Sequence, residues 1–219
     1  MRRLIERLLP KAAAKRRFTE IYRGNLWGSR ESRSGVGSTL VQTAVIRGAI
    51  PVLLGDFHVR SMLDAPSGDF NWIRHVDLGD TRYIGGDIVE RLVEGNNRAH
   101  AGPNRTFVCL DVIKDRLPRV DLILCRDCLV HLTFDEARQA LRNMVESGSI
   151  WLLTTTFPDR AANTNLIGRH GWRPLNLQRP PFCFPGPQRL INEGCTEENN
   201  AYSDKCLGLW KLADIGPLL

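Results

Sequence analysis

This sequence predicts an α/β fold built on a doubly wound, mainly parallel sheet, and three observations carry the prediction. From Val59 onward short apolar runs alternate with helical spacing, as βαβ units do. Successive runs end on or near an acid: Asp64, Asp87 and Asp111. The chain has 219 residues, 42% apolar and 25% charged, which suits one soluble domain with a substantial core.

Taken in order, VRSMLD (59–64) is a short strand closed by a turn containing Pro66 and Gly68. WIRHVD (72–77) carries a weak helical spacing, and RYIGGD (82–87) is the second strand. IVERLVEGNNRAH (88–100) places Ile88, Leu92 and Val93 on one helical face, with Gly-Asn-Asn read as its stop. TFVCLDV (106–112) is the third strand, and VDLILC (120–125) a continuous apolar strand of the buried parallel type. TFDEARQALRNMVESG (133–148) is the best helix, with Thr133 and Glu136 spaced as a capping box and Gly148 closing it. SIWLLTTTF (149–157) is the fifth strand. Residues 158–187 then lose periodicity and hold six prolines, while their apolar and aromatic groups argue for an ordered, substrate-side insertion. RLINEGC (189–195) and KCLGLWKLAD (205–214) read as an antiparallel pair at the sheet edge.

Charge and cysteine usage narrow the function classes. The net charge is +6, but residues 1–20 alone carry seven Lys/Arg against Glu6 and Glu20, leaving the rest nearly neutral. A folded basic face for nucleic acid is therefore not expected. Residues 1–20 read as a basic arm ahead of a single domain at 21–219, and Leu4, Leu8 and Leu9 would let part of it contact a membrane surface or partner weakly. The start of the chain lacks an apolar signal core, so a cytoplasmic location is expected. Cys125 and Cys128 form a C-x-x-C with no second pair at zinc-finger spacing, and no metal is expected.

The acids point to a ligand. Only Gly68 follows Asp64 before Phe70, and Pro66 stands where a dinucleotide-binding loop has a glycine, so several free N–H groups for a pyrophosphate are missing. Three acids at successive strand ends suit a nucleoside with a cationic tail instead. Asp64 orders the turn or meets a cation, Asp87 takes ribose hydroxyls, and Asp111 takes an exocyclic amine. S-adenosylmethionine has that chemistry.

The string LDAPSGDF resembles the first motif, D-x-x-x-G, of class I (Rossmann-like) S-adenosylmethionine-dependent methyltransferases, with YIGGDI and CLDV similar to the second and third. IYRGNLWG…SRSGVGS and LCRDCLVHL resemble a bacterial group of these enzymes over about residues 18–214. The resemblance implies a seven-stranded sheet of order 3-2-1-4-5-7-6 with the last strand antiparallel and helices on both faces. It implies S-adenosylmethionine as cofactor, S-adenosylhomocysteine as product, and a site including Pro66, Gly68, Ile88 and Val112. The first motif departs from the family in having Pro66 rather than a second glycine.

Candidate chemistry follows the fourth strand. Asp127 and His131 lie four apart, on one face if the segment is helical, so His131 can act as base and Asp127 can fix its tautomer. Arg126 lies beside them at the strand end and is assigned to both cofactor and chemistry. Residues 27–38, with Trp27 and Arg33, are expected to close over the cofactor, an arginine meeting its carboxylate. Arg169, Arg173 and Asn176, on an aromatic background, suit a small-molecule or saccharide acceptor. An RNA or protein acceptor, or a binding module without turnover, are the rival readings.

Overall fold

The computed structural model describes residues 14–168 and 171–219. Residues 1–13, most of the expected basic arm, and Arg169 lie outside the described residues. Helix α1 (14–24) and helix α2 (Ala44–Asp56) precede strand β1 (Ser61–Asp64). Then come β2 (Arg82–Asp87), α3 (Glu90–His100), β3 (Arg105–Cys109), β4 (Leu122–Cys125), α4 (Phe134–Glu146), β5 (Trp151–Thr156), β6 (Arg189–Asn192) and β7 (Cys206–Lys211). They form one seven-stranded sheet of order β3-β2-β1-β4-β5-β7-β6. β3, β2, β1, β4 and β5 pair in parallel, and β7 runs antiparallel to both β5 and β6. The expected strand order, the antiparallel β7 and the terminal hairpin are all present.

Alternation along the strands sorts side chains to two faces. Leu63, Ile123, Leu152 and Trp210 pack against α4 residues Ala137, Leu141 and Met144 and the insertion's Leu175, Phe182 and Phe184. Met62, Leu122, Leu124, Leu153 and Leu209 pack against α2 residues Ile46, Ile50 and Leu53. Among the described residues no helix is long and apolar enough to cross a membrane.

Two local expectations need correction, and one helix lies where none is expected. WIRHVD forms only one 3₁₀ turn, Ile73–His75, because Asp77 accepts the Gly79 N–H (3.0 Å) and breaks the chain there, while α2 already covers that face. No element is expected over 44–56, where Gly48 and Pro51 mask the helical spacing of α2. The Gly-Asn-Asn stop is absent: α3 runs on to His100. The asparagines there are bonding groups instead. Asn96 Nδ2 donates to the Gly68 carbonyl (2.8 Å), and Asn97 exchanges bonds with the Phe107 backbone (2.8 and 3.3 Å).

α4 has the expected capping box: Thr133 Oγ1 accepts the Glu136 N–H (3.2 Å) and Glu136 Oε2 accepts the Thr133 N–H (2.9 Å). Thr133→Ala removes one half of it. The expected loss is about 1 kcal/mol, a thermal midpoint lower by ~2–4 °C for a domain of this size. An unchanged midpoint in a thermal scan would deny the cap its role.

Candidate active site

The turn after β1 carries the centre of the site. Asp64 is buried and its carboxylate accepts the Tyr83 hydroxyl proton at 2.7 Å. Burial raises its pKa from 3.8 to about 7, the Tyr83 bond opposing and the nearby Asp87 charge reinforcing the shift. The chain then turns over β2. Ser67 N–H donates to the Gly86 carbonyl (2.8 Å), and Gly68 N–H donates to Asp87 Oδ2 (3.0 Å). Asp87 Oδ1 accepts from Val89 N–H (2.8 Å), so the β2 acid is aimed by two backbone donors. Burial raises Asp87 to about 6 even so.

Residues 29–38 form a strap that crosses this turn, and Asp69 holds it. Asp69 accepts from Ser32 Oγ (2.9 and 3.0 Å), Arg33 N–H (2.6 Å) and Ser34 Oγ (3.2 Å). Ser34 Oγ in turn accepts the Asp69 N–H (3.1 Å). The approach requires glycine at 68: its φ is +54°, and a Cβ there would stand 2.1 Å from Ser34 Oγ. The far end of the strap is held by Arg126, whose Nη2 donates to the Gly37 carbonyl at 2.8 Å.

Arg126 belongs to a buried charge cluster that the sequence hid. Its guanidinium pairs with Glu193 after β6 (2.6 Å) and with Asp127 (3.3 Å), and Lys205 ahead of β7 pairs with Asp127 (2.7 Å). The Arg126 and Glu193 side chains are 4% and 1% exposed, so removing either would strand the other's charge, at a cost of about 3–5 kcal/mol. Burial alone would raise the Asp127 pKa, but Lys205 and Arg126 hold it well below the usual carboxylate range.

The expected Asp127–His131 pairing is not made. Only Leu129–His131 is helical, as one 3₁₀ turn, and Asp127 sits at φ +52° with its carboxylate committed to Lys205 and Arg126. His131 Nδ1 instead meets the Gly171 carbonyl at 3.0 Å. A carbonyl only accepts, so Nδ1 carries the proton and Nε2 keeps its lone pair. Burial lowers the His131 pKa, which favours the neutral imidazole at pH 7. The ring lies beside Trp27, centroids 5.0 Å apart.

One cavity at the carboxyl ends of the strands is lined by Trp27, Arg33, Asp64, Pro66, Gly68, Asp87, Ile88, Asp111, Val112, Arg126, Asp127 and His131. Asp111 Oδ1 also accepts the Ile113 N–H (2.9 Å). Arg173 and Asn176 do not line it. Arg173 donates to Leu129 O (2.7 Å) and Thr164 O (3.3 Å), and Asn176 Nδ2 to the carbonyls of Pro158 (2.8 Å) and Arg160 (2.9 Å). Sequence reasoning missed Asp69, Tyr83, Glu193 and Lys205, whose partners lie 19 to 78 positions away. It also missed α1 as a cavity wall, although Ala14, Phe18 and Tyr22 share a face at i, i+4, i+8. Lys15 and Arg17, read as arm residues, pair with Glu90 and Glu136.

No protein-family model and no curated protein matches the chain. Solved structures do. The 1,6-didemethyltoxoflavin N1-methyltransferase of Burkholderia thailandensis, bound to 1,6-didemethyltoxoflavin and S-adenosylhomocysteine, is 16% identical over 91% of this chain and 87% of its own, with a TM-score of 0.64. An S-adenosylmethionine-dependent methyltransferase of Clostridium acetobutylicum is 10% identical over 77% and 91%, TM-score 0.56. The N-methyltransferase NodS of Bradyrhizobium japonicum, with S-adenosylhomocysteine, is 14% identical over 65% and 74%, TM-score 0.53. At these identities the likeness is one of fold: the chain has the Rossmann-like fold of class I S-adenosylmethionine-dependent methyltransferases.

Proposed function

We propose that this chain is an S-adenosylmethionine-dependent methyltransferase acting on an oxygen or nitrogen of a small-molecule acceptor. The observation that carries the reading is the set of carboxylate acceptors in the cavity: Asp64 and Asp87 at the ends of β1 and β2 and Asp111 just past β3, with Ile88 and Val112 beside the last two. Buried carboxylates oppose a phosphate chain and favour hydroxyl, amine and ammonium donors, so the residues fit the nucleoside. Asp87 takes the ribose hydroxyls, Ile88 and Val112 flank the adenine, Asp111 takes its amine, and Asp64 faces the amino-acid tail. Arg33, exposed on the strap, meets the tail carboxylate. When bound, the cofactor supplies an electrophilic methyl group on a sulfonium. The protein's own share is positioning, exclusion of water by the strap, and removal of a proton. His131 Nε2 accepts that proton from the acceptor. Arg126 and Asp127 hold the strap and the strand end rather than reacting.

Thermal unfolding with S-adenosylhomocysteine, and separately with NAD, tests the cofactor. At one hundred times Kd a ligand stabilises by about 2.7 kcal/mol, a midpoint shift of roughly 5–11 °C here. The nucleoside is expected to give that shift and NAD none; a shift with NAD alone would overturn the reading. Asp87→Ala is expected to abolish the shift. His131→Ala is expected to keep it while lowering turnover by about 10²–10⁴ once an acceptor is in hand.

The acids also set a pH dependence. Asp64 in the native state holds a proton up to about pH 7, which the unfolded chain releases near 3.8. The unfolded state therefore binds fewer protons between those values, and the stability of the ligand-free protein falls as pH rises through them. Asp64→Asn is expected to raise the midpoint at pH 8 and leave it unchanged at pH 4. An equal change at both would show that Asp64 carries no such proton.

A further inference from the structure

Building on His131 as the base, we propose that the insertion between β5 and β6 is a clamp that sets the tautomer of His131, with Arg173 as its positioning residue. Three bonds run from residues 171–173 onto the turn that carries the histidine. The Gly171 carbonyl accepts from His131 Nδ1 (3.0 Å), Arg173 N–H donates to Val130 O (3.1 Å), and Arg173 Nη1 donates to Leu129 O (2.7 Å). Arg173 Nε ties the same guanidinium back to Thr164 O (3.3 Å), and the Phe134 ring lies 5.6 Å from it. The clamp therefore grips three consecutive residues, Leu129, Val130 and His131, from one side.

Two features mark this as more than loop packing. Gly171 has no room for a side chain, since a Cβ would lie 2.6 Å from the Ile167 carbonyl. A larger residue would push the carbonyl off the imidazole. Arg173 is 6% exposed, yet among the described residues its side chain donates to neutral carbonyls. Burial lowers its pKa to about 10, with Glu136 offsetting only part. A buried guanidinium is a costly way to bond two carbonyls, and its planar fork fixes direction where a flexible ammonium would not. The charged groups acting on His131 are Asp127 after β4, Arg17 on α1 and Arg173 itself. None of them hydrogen-bonds the ring among the described contacts, so the Gly171 carbonyl decides which nitrogen is bare.

The test is a long-range ¹H–¹⁵N correlation spectrum of the full-length labelled chain, with and without S-adenosylhomocysteine. The His131 signals are those lost in His131→Gln. Wild type is expected to show Nδ1 protonated and Nε2 bare near neutral pH. Arg173→Ala and Arg173→Gln are expected to cut that preference about tenfold, the size of one net hydrogen bond, with nucleoside binding retained. Arg173→Lys, which keeps one donor, is expected to recover part of it. A proton on Nε2 in wild type overturns the clamp. Folded Arg173 variants with the wild-type tautomer overturn the role of Arg173. If the alanine variant does not fold, the wild-type and lysine spectra decide. Failure of the methyltransferase reading is separable: the tautomer would be as stated, but S-adenosylhomocysteine would not bind.

Discussion

Asp69 holds the strap 29–38 against the turn after β1, and most of the site follows from that contact. From the strap, its two oxygens accept two serine hydroxyls and one backbone N–H. The approach is close enough that residue 68 must lack a Cβ, and Gly68 also uses its own N–H to orient Asp87. One turn thus fixes the strap above it and the β2 acid below it. Asn96 of α3 closes the set by bonding the Gly68 carbonyl (2.8 Å). Charge-assisted bonds of this kind are worth about twice a neutral one, and they order a serine- and glycine-rich segment whose one large apolar side chain, Val36, is exposed.

Charge is distributed unevenly across the cavity. On the β4–β7 side Arg126, Lys205, Asp127 and Glu193 pair with one another and are spent on structure. On the β1–β2 side Asp64 and Asp87 are buried with hydrogen-bond donors but, among the described residues, no directly paired cation, and both sit above the usual carboxylate range. Desolvation wins there over local hydrogen bonding. The unsatisfied preference is for a donor-rich or cationic ligand, and that asymmetry distinguishes this cavity from a phosphate site of the same fold.

The sheet was largely legible because parallel strands buried on both faces read as continuous apolar runs: 61–64, 122–125 and 151–156 all fall inside the strands expected from sequence. α4 was legible for a local reason, its capping box. α2 was not, since Gly48 and Pro51 break the propensity pattern and tertiary packing of Ile46, Ile50 and Leu53 restores the helix. Within the site, residues at strand ends were readable from position alone. The contacts that give them roles were not, because Glu193, Lys205 and Gly171 reach their partners across 67, 78 and 40 positions. The Asp127–His131 spacing misled for the same reason: a spacing of four means one face only in a helix, and here the chain turns through φ +52° at Asp127.

The nucleoside site is tested most directly by a crystal structure of the chain with S-adenosylhomocysteine. Ribose hydroxyls are expected on the Asp87 carboxylate, adenine between Ile88 and Val112, and the strap still bonded to Asp69 across the nucleoside. A nucleoside bound away from Asp87, or a strap released from Asp69 when the ligand is present, would contradict that placement.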